Sequence, residues 1–272
     1  MRICERVADL RVALAGAARP LGLVPTMGAL HDGHAACLQA CLDECATSVA
    51  SIFVNPLQFD EEQDLARYPR PFDQDRAMLE ELGFDVVFHP SGAEVYPAGF
   101  ETRVQPGRIA ELYEGEHRPD HFASVATVVL KLLNAVGCDR AYFGRKDGQQ
   151  LALVRTMVRD LDLPVEIVPV ETVRDADGLA LSSRNVLLDD AERKQALGLS
   201  RGLFRARDAW REGERDFDLL AVRAREGGLH YDYVACVDPE TFLPPASGGP
   251  ALVVVAARVG TVRLIDNILL AT

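Results

Sequence analysis

The sequence predicts an α/β fold, a parallel sheet with helices on both faces, followed by a smaller C-terminal α+β domain. Short apolar runs alternate with amphipathic stretches over about the first 170 residues, and that rhythm changes after Val173. Polar motifs also follow the predicted strand ends, where ligands bind in sheets of this kind. Leu21–Pro25 reads as a buried strand, Gly33–Cys45 as a helix and Ser48–Val54 as a second strand, which together make a βαβ unit. The pattern continues with a helix at 73–82, a strand at 85–88, a helix at 122–136, a strand at 140–143, a helix at 149–161 and a strand at 165–170. Next come a loop rich in Asp, Gly and Ser, a charged helical region over 190–225, and strand-like runs at 231–237, 251–258 and 261–270. The cluster of proline and glycine at 243–250 reads as a connection between strands. The expected division is a Rossmann-like domain over 1–174 and a smaller domain over 175–272.

The 272 residues are 48% hydrophobic and 26% charged, the balance of a soluble globular protein with ample sequence for a core. The formal charge of −12 sets the whole-molecule field against polyanions, so nucleic acid is not an expected partner. A small phosphorylated ligand stays open, because local donors can hold phosphate on an acidic protein. No apolar run reaches the roughly 18 residues of a membrane span, and Met1–Arg6 lacks a signal-peptide core, so a cytoplasmic location without membrane partners is expected. Six cysteines without a C-x-x-C pair indicate neither a disulfide framework nor a zinc ribbon. Cys37, Cys41 and Cys45 recur at helical spacing with His34 one turn before them; a buried stripe of small residues accounts for them better than a metal.

The most informative stretch is P-T-M-G-A-L-H-D-G-H at 25–34, set between a strand and a helix. His31 and His34 lie on one side of a helix start, whose backbone N–H groups and dipole favour an anion such as a nucleotide phosphate. Gly33 leaves room for a ligand against the backbone. The plain alternative is a strand-to-helix turn capped by Asp32 with two incidental histidines. A second group, F-G-R-K-D-G-Q-Q at 143–150, again follows a strand and opens a helix. Lys146 can neutralise phosphate charge and Gln150 can hold a hydroxyl or carboxylate, although a solvated cap would look the same. The third, D-G-L-A-L-S-S-R-N at 177–185, reads as a mobile loop whose hydroxyls and guanidinium suit a triphosphate, or as a helix-entry turn. Asn55 and Gln58 supply amides at the carboxyl edge of the second strand, while Asp73 and Asp75 are explained by the dipole of their helix as readily as by a metal.

Taken in order, these motifs resemble the pantothenate synthetase (pantoate:beta-alanine ligase) family of the nucleotidylyltransferase superfamily. The resemblance includes S-I-F-V-N-P-L-Q-F at 51–59, Y-P-R at 68–70, R-P-D-H-F at 118–122, T-V-V-L-K-L-L-N at 127–134 and R-L-I-D-N at 263–267. It implies an ATP-dependent reaction in which pantoate becomes an acyl adenylate and beta-alanine then takes the acyl group, giving pantothenate, AMP and pyrophosphate. It further implies that Met27, Gly28, Ala29, Leu30, His31, Asp32, Gly33 and His34 form an ATP loop, with His34 the proton donor to phosphate and His31 assisting. Gly144, Arg145, Lys146, Asp147, Val173, Leu181, Ser182, Ser183 and Arg184 match ATP-binding positions. The resemblance implies catalytic roles for Lys146, Ser182, Ser183 and Arg184 with the two histidines. Gln58 and Gln150 match the glutamines that hold pantoate, and Phe53, Asn55, Val128 and Val129 would shape its pocket. Mg²⁺ with ATP, a homodimer, and a small domain closing over the ATP site are implied as well, with no residue assigned to the metal and a direct protein ligand to Mg²⁺ left open.

Three positions depart from the family pattern: Arg145 stands where an acidic residue is common, Gly148 where an aromatic is frequent, and Ser124 where H-F-x-G-V has glycine. Arg145 is expected to add positive charge beside the nucleotide, and Ser124 is expected to narrow the pantoate pocket. Competing expectations are a related nucleotidylyltransferase acting on another small acid and a non-catalytic nucleotide-binding protein.

Overall fold

The order of strands follows from where the chain places its apolar runs. In this computed structural model, which describes residues 1–59 and 62–270, the large sheet is formed by β1 (Arg2–Cys4), β2 (Leu21–Thr26), β3 (Thr47–Ile52), β4 (Val86–Phe88), β5 (Arg140–Gly144) and β6 (Glu166–Val170). The strands are parallel, in the order β1-β4-β3-β2-β5-β6. From β2 the chain lays β3 and β4 on one side, then returns to place β5 on the other. The neighbours β2 and β5 thus form the topological switch point, outside whose carboxyl ends ligands bind. The β2–β5 ladder pairs Gly22 with Arg140 and Leu23 with Ala141 and ends there, before Pro25, which has no N–H to give to a ladder.

Helices of the same region are α1 (Val7–Leu14), α2 (Asp32–Glu44), α3 (Glu62–Arg67), α4 (Phe72–Leu82), α5 (Gly92–Val95), α6 (Glu114–His117), α7 (His121–Val136) and α8 (Gly148–Asp160). Val24, Ala50, Ile52, Val87 and Tyr142 turn to one face of the sheet and pack on Cys37, Leu38 and Cys41 of α2 and Leu79 of α4. Alternation sends Leu23 and Val49 to the other face, where α7 meets β2 and α1. Gly22 is the seat of α2: a Cβ there would run into the sulfurs of Cys41 and Cys45. The cysteine stripe therefore packs α2 against the sheet. Burial pushes the Cys138 thiol up to about 12 and Cys41 higher still, both by desolvation first.

The packing divides into two units, Met1–Gly144 with Leu153–Val170, and Arg145–Ala152 with Glu171–Thr272. Nothing in the sequence rhythm marks the short stretch 145–152 as belonging with the later residues. The second unit contains α9 (Asp190–Arg211), α10 (Phe217–Arg223), β7 (His230–Val237), β8 (Ala251–Val259) and β9 (Val262–Leu270), the strands forming an antiparallel sheet in that order. Leu199, Leu203, Ala206 and Trp210 of α9 pack on Val253, Val255 and Ala257 of β8 and Leu264 of β9. α9 starts with a capping box in which Asp189 accepts from Ala191 and Glu192 N–H and Glu192 returns a bond to Asp189 N–H.

Two differences from the sequence expectation have local causes. The charged region over 190–225 is two helices, because Gly213 adopts φ +105° after α9 and Asp216 caps α10 through the N–H groups of Asp218 and Leu219. β1 and α1 precede the expected first strand. With two of its three residues exposed, β1 lacks the apolar run that announces a buried strand.

Candidate active site

The chain leaves β2 through Met27–Leu30 into α2, and this turn is held from outside. Thr26 Oγ1 accepts from Gly28 N–H at 3.1 Å and donates to Ser51 O at 2.8 Å. Asp75, on α4 and 3% exposed, accepts from Ala29 N–H at 2.9 Å and Leu30 N–H at 2.8 Å. Gly28 (φ +79°) and Ala29 (φ +51°) both occupy the left-handed region, and a Cβ on Gly28 would lie 2.8 Å from Asp75 Oδ2. Asp75 thus acts on the backbone of the loop, a use that the first-turn position of an acidic residue in a helix does not signal.

His31, and not Asp32, is the N-cap of α2. Its Nδ1 accepts from Gly33 N–H at 3.1 Å, while His34 Nδ1 accepts from His31 N–H at 3.3 Å, so the two imidazoles form a reciprocal capping box. Their ring centroids are 4.2 Å apart. Because each Nδ1 is an acceptor, each neutral ring carries its proton on Nε2. The pair is therefore a set of N–H donors standing at a helix N-terminus, where the dipole favours an anion.

Beyond β3, Asn55 is completely buried and works as a hub. Its Oδ1 accepts from Tyr96 Oη at 2.9 Å and Leu57 N–H at 3.3 Å, while Nδ2 donates to Gln58 Oε1 at 2.9 Å and Ser124 O at 3.3 Å. Arg118 Nη2 donates to Gln58 O at 2.9 Å. With Oε1 of Gln58 engaged, its NH₂ is the end available for a hydroxyl or carboxylate. Burial raises the Tyr96 hydroxyl to about 12, keeping it a donor. Phe53, Val128 and Val129 are buried, the first with its ring 6.2 Å from that of Tyr96. Ser124 is buried on α7, with its carbonyl in the Asn55 network.

In the second unit, Lys146 and Ser182 line one cleft with Leu179, Ala180, Asn185 and Asp266. Arg145–Asp147 is a single helical turn opening α8, with Gln150 in the first turn of that helix. The expected positive charge of Arg145 is met by Glu171, 2.7 Å from its Nε. Val173–Leu181 is a pinned hairpin: Leu181 N–H donates to Val173 O at 3.0 Å, Arg174 bridges to Ala180, and Arg193 holds Asp175 at 2.6 Å and Asp177 at 2.8 Å. Ser182 Oγ caps the following turn by accepting from Arg184 N–H at 3.3 Å, Ser183 opens that turn, and Arg184 is exposed. Sequence reasoning gave no role to Tyr96, Arg118 or Asn267, whose side chains reach far along the chain to the candidate segments.

Of the carboxylates near these segments, Asp75 is engaged by backbone N–H groups, Asp175 and Asp177 by Arg193, and Asp266 by Arg174. Among the described residues no group of three or more His, Cys, Asp or Glu is arranged to hold a metal ion. Nor is any described helix long and apolar enough to cross a membrane.

Comparison with known proteins places the whole chain in one family. The family model described as pantoate-beta-alanine ligase matches residues 2–269. Pantothenate synthetase 1 of Bradyrhizobium diazoefficiens is 49% identical over 99% of this chain and 98% of its own length. The crystal structure of pantothenate synthetase from Thermus thermophilus superimposes with a TM-score of 0.93 at 47% identity, covering both chains completely. A Francisella tularensis pantoate-beta-alanine ligase, crystallised with beta-gamma ATP and beta-alanine, aligns with a TM-score of 0.82 at 32% identity over 100% of this chain and 98% of that one. With a family model spanning nearly every residue and relatives alike in sequence and fold from end to end, this chain belongs to the pantoate-beta-alanine ligase family.

Proposed function

We propose that this chain condenses (R)-pantoate with beta-alanine through a pantoyl adenylate. A pantoate carboxylate oxygen attacks the α-phosphorus of ATP and pyrophosphate leaves. The beta-alanine amine then attacks the acyl carbon, AMP departs with the C–O bond, and the amine loses a proton to give pantothenate. A carboxylate is too poor an acyl donor toward an amine unless it first gains such a leaving group. Little covalent chemistry falls to the protein, whose work is positioning and stabilising charge on phosphate.

The observation that carries this reading is the histidine pair, whose Nδ1 atoms both accept backbone N–H and so commit each Nε2 to donation at a helix N-terminus. In this reading His34 donates to phosphate oxygen with His31 beside it, and Met27–Gly33 supply the backbone of the ATP loop. Gly144–Asp147, Val173 and Leu181–Arg184 supply the remaining nucleotide contacts, with Lys146, Ser182, Ser183 and Arg184 on the phosphates. Gln58 and Gln150 hold pantoate in a pocket shaped by Phe53, Asn55, Val128 and Val129. Mg²⁺ would enter with ATP and offset phosphate charge. A cytoplasmic homodimer completes the proposal.

The test is AMP and pyrophosphate release from purified protein with ATP and Mg²⁺, pantoate and beta-alanine each present or omitted. AMP appearing with all components, alongside an equal amount of pantothenate, is the expected result. No pyrophosphate in the presence of pantoate would refute the reading, and a panel of other small acids would then locate the substrate.

A further inference from the structure

The closing run Arg263–Asn267 has no part in the reaction as described, yet it holds two buried polar residues. Asp266 and Asn267 are 3% and 6% exposed on β9. Such side chains are depleted in strands and costly to bury unless their hydrogen bonds are made.

Here, apart from the bond that Asp266 Oδ1 accepts from Asn267 N–H at 2.8 Å, those bonds run to the turn at Lys146 and to Arg174, next to Val173. Asn267 Nδ2 donates to Arg145 O and Lys146 O, each at 2.8 Å, which uses both of its N–H groups. The turn Arg145–Asp147 is too short to hold itself by helical bonding. A Cβ at Gly148 would lie 3.2 Å from Asn267 Nδ2, so glycine leaves the amide in its seat. Asp266 takes the Arg174 guanidinium as a fork, at 2.6 and 2.9 Å, and Arg174 in turn reaches Gly178 O at 3.2 Å and Asn267 O at 3.3 Å. Arg174 is also the residue that bridges to Ala180 across the Val173–Leu181 hairpin.

We propose that Asp266 and Asn267 form a clamp that positions both nucleotide-binding segments of the second unit, Asn267 holding the Lys146 turn and Asp266 holding the base of the Val173–Arg184 segment. Successive side chains of a strand point to opposite faces, which is how adjacent residues can grip two different segments. The clamp rests on the reading of those segments as ATP-binding, and Asn267 is a positioning residue that acts through Lys146.

The experiment is ATP binding by calorimetry and amide hydrogen exchange on the full chain, wild type against Asn267→Ala. The variant is expected to weaken ATP binding at least tenfold and to speed exchange around 145–148 by a similar factor, with β7–β9 protected as in wild type. An unchanged ATP affinity, or exchange accelerating evenly through the second unit, would overturn the clamp. Should Asn267→Ala fail to fold, Arg174→Lys keeps the charge, loses the fork and carries the same test, with faster exchange at 173–181 expected and unchanged ATP affinity overturning the proposal. Failure of the ligase reading looks different: wild-type protein that binds ATP and forms no pantothenate.

Discussion

Tyr96 Oη donates to Asn55 Oδ1 at 2.9 Å, and through Asn55 Nδ2 this bond fixes which end of the Gln58 amide is left for a ligand. Tyr96→Phe removes this donor and loosens the Asn55 amide, which keeps its bonds to Leu57, Gln58 and Ser124. One buried hydrogen bond is worth about 1 kcal/mol, so the KM for pantoate should rise by roughly fivefold. The KM for ATP should stay within twofold; equal changes in both would show a general loss of structure instead.

His34→Ala should lower kcat by about 10²–10³-fold, the range for losing one N–H donor to charge that develops in the transition state. The variant also loses one capping bond of α2, so a stability cost of about 1 kcal/mol is expected. A folded variant with wild-type turnover would refute the assignment.

Asp75→Ala strips Ala29 and Leu30 N–H of their acceptor. Leaving these partly buried donors without their acceptor should cost about 1 kcal/mol each, and the Met27–Leu30 loop, proposed to hold ATP, loses its support. Denaturant unfolding should show the loss, and steady-state kinetics should show a raised KM for ATP.

The Asp139 carboxyl is held below its usual value, first by the backbone N–H of Leu21 and then by Arg19. A depressed folded value means that the carboxylate stabilises the fold above the unfolded value near 4 and ceases to do so as pH falls through the lower, folded value. Asp139→Asn should therefore be less stable than wild type at neutral pH, with the difference shrinking below about pH 4. Equal offsets at pH 7 and pH 3 would contradict this.

Cys41 and Cys138 should resist alkylation in the native protein at pH 8, because burial holds both thiols protonated and covered. Mass spectrometry after iodoacetamide treatment, with and without denaturant, reads the difference directly.

The parts of this molecule that the sequence made legible are those whose partners are near in the chain. The parallel strands announce themselves as apolar runs, and the histidine pair as neighbours at a helix start. Even the break between α9 and α10 is written in Gly213 and Asp216, although charge obscures it. The supports of the site are another matter. Asp75 acts across 45 and 46 residues, Tyr96 across 41 and Asn267 across 121 and 122, so their roles exist only once the chain has folded. Identity as Asp, Tyr or Asn carries no trace of such a destination.

Gly22 gains a meaning beyond packing once α2 is seen as a lever. The helix spans about 20 Å, with cysteine sulfurs seated on Gly22 near one end and His31 and His34 at the other. Any side chain at position 22 would tilt or lift that end, and a rigid helix passes the motion to the imidazoles. The depth of a glycine in the middle of the sheet thus sets the height of two imidazoles at its edge, and on the role proposed for His34 Gly22→Ala should be felt in turnover as well as in stability.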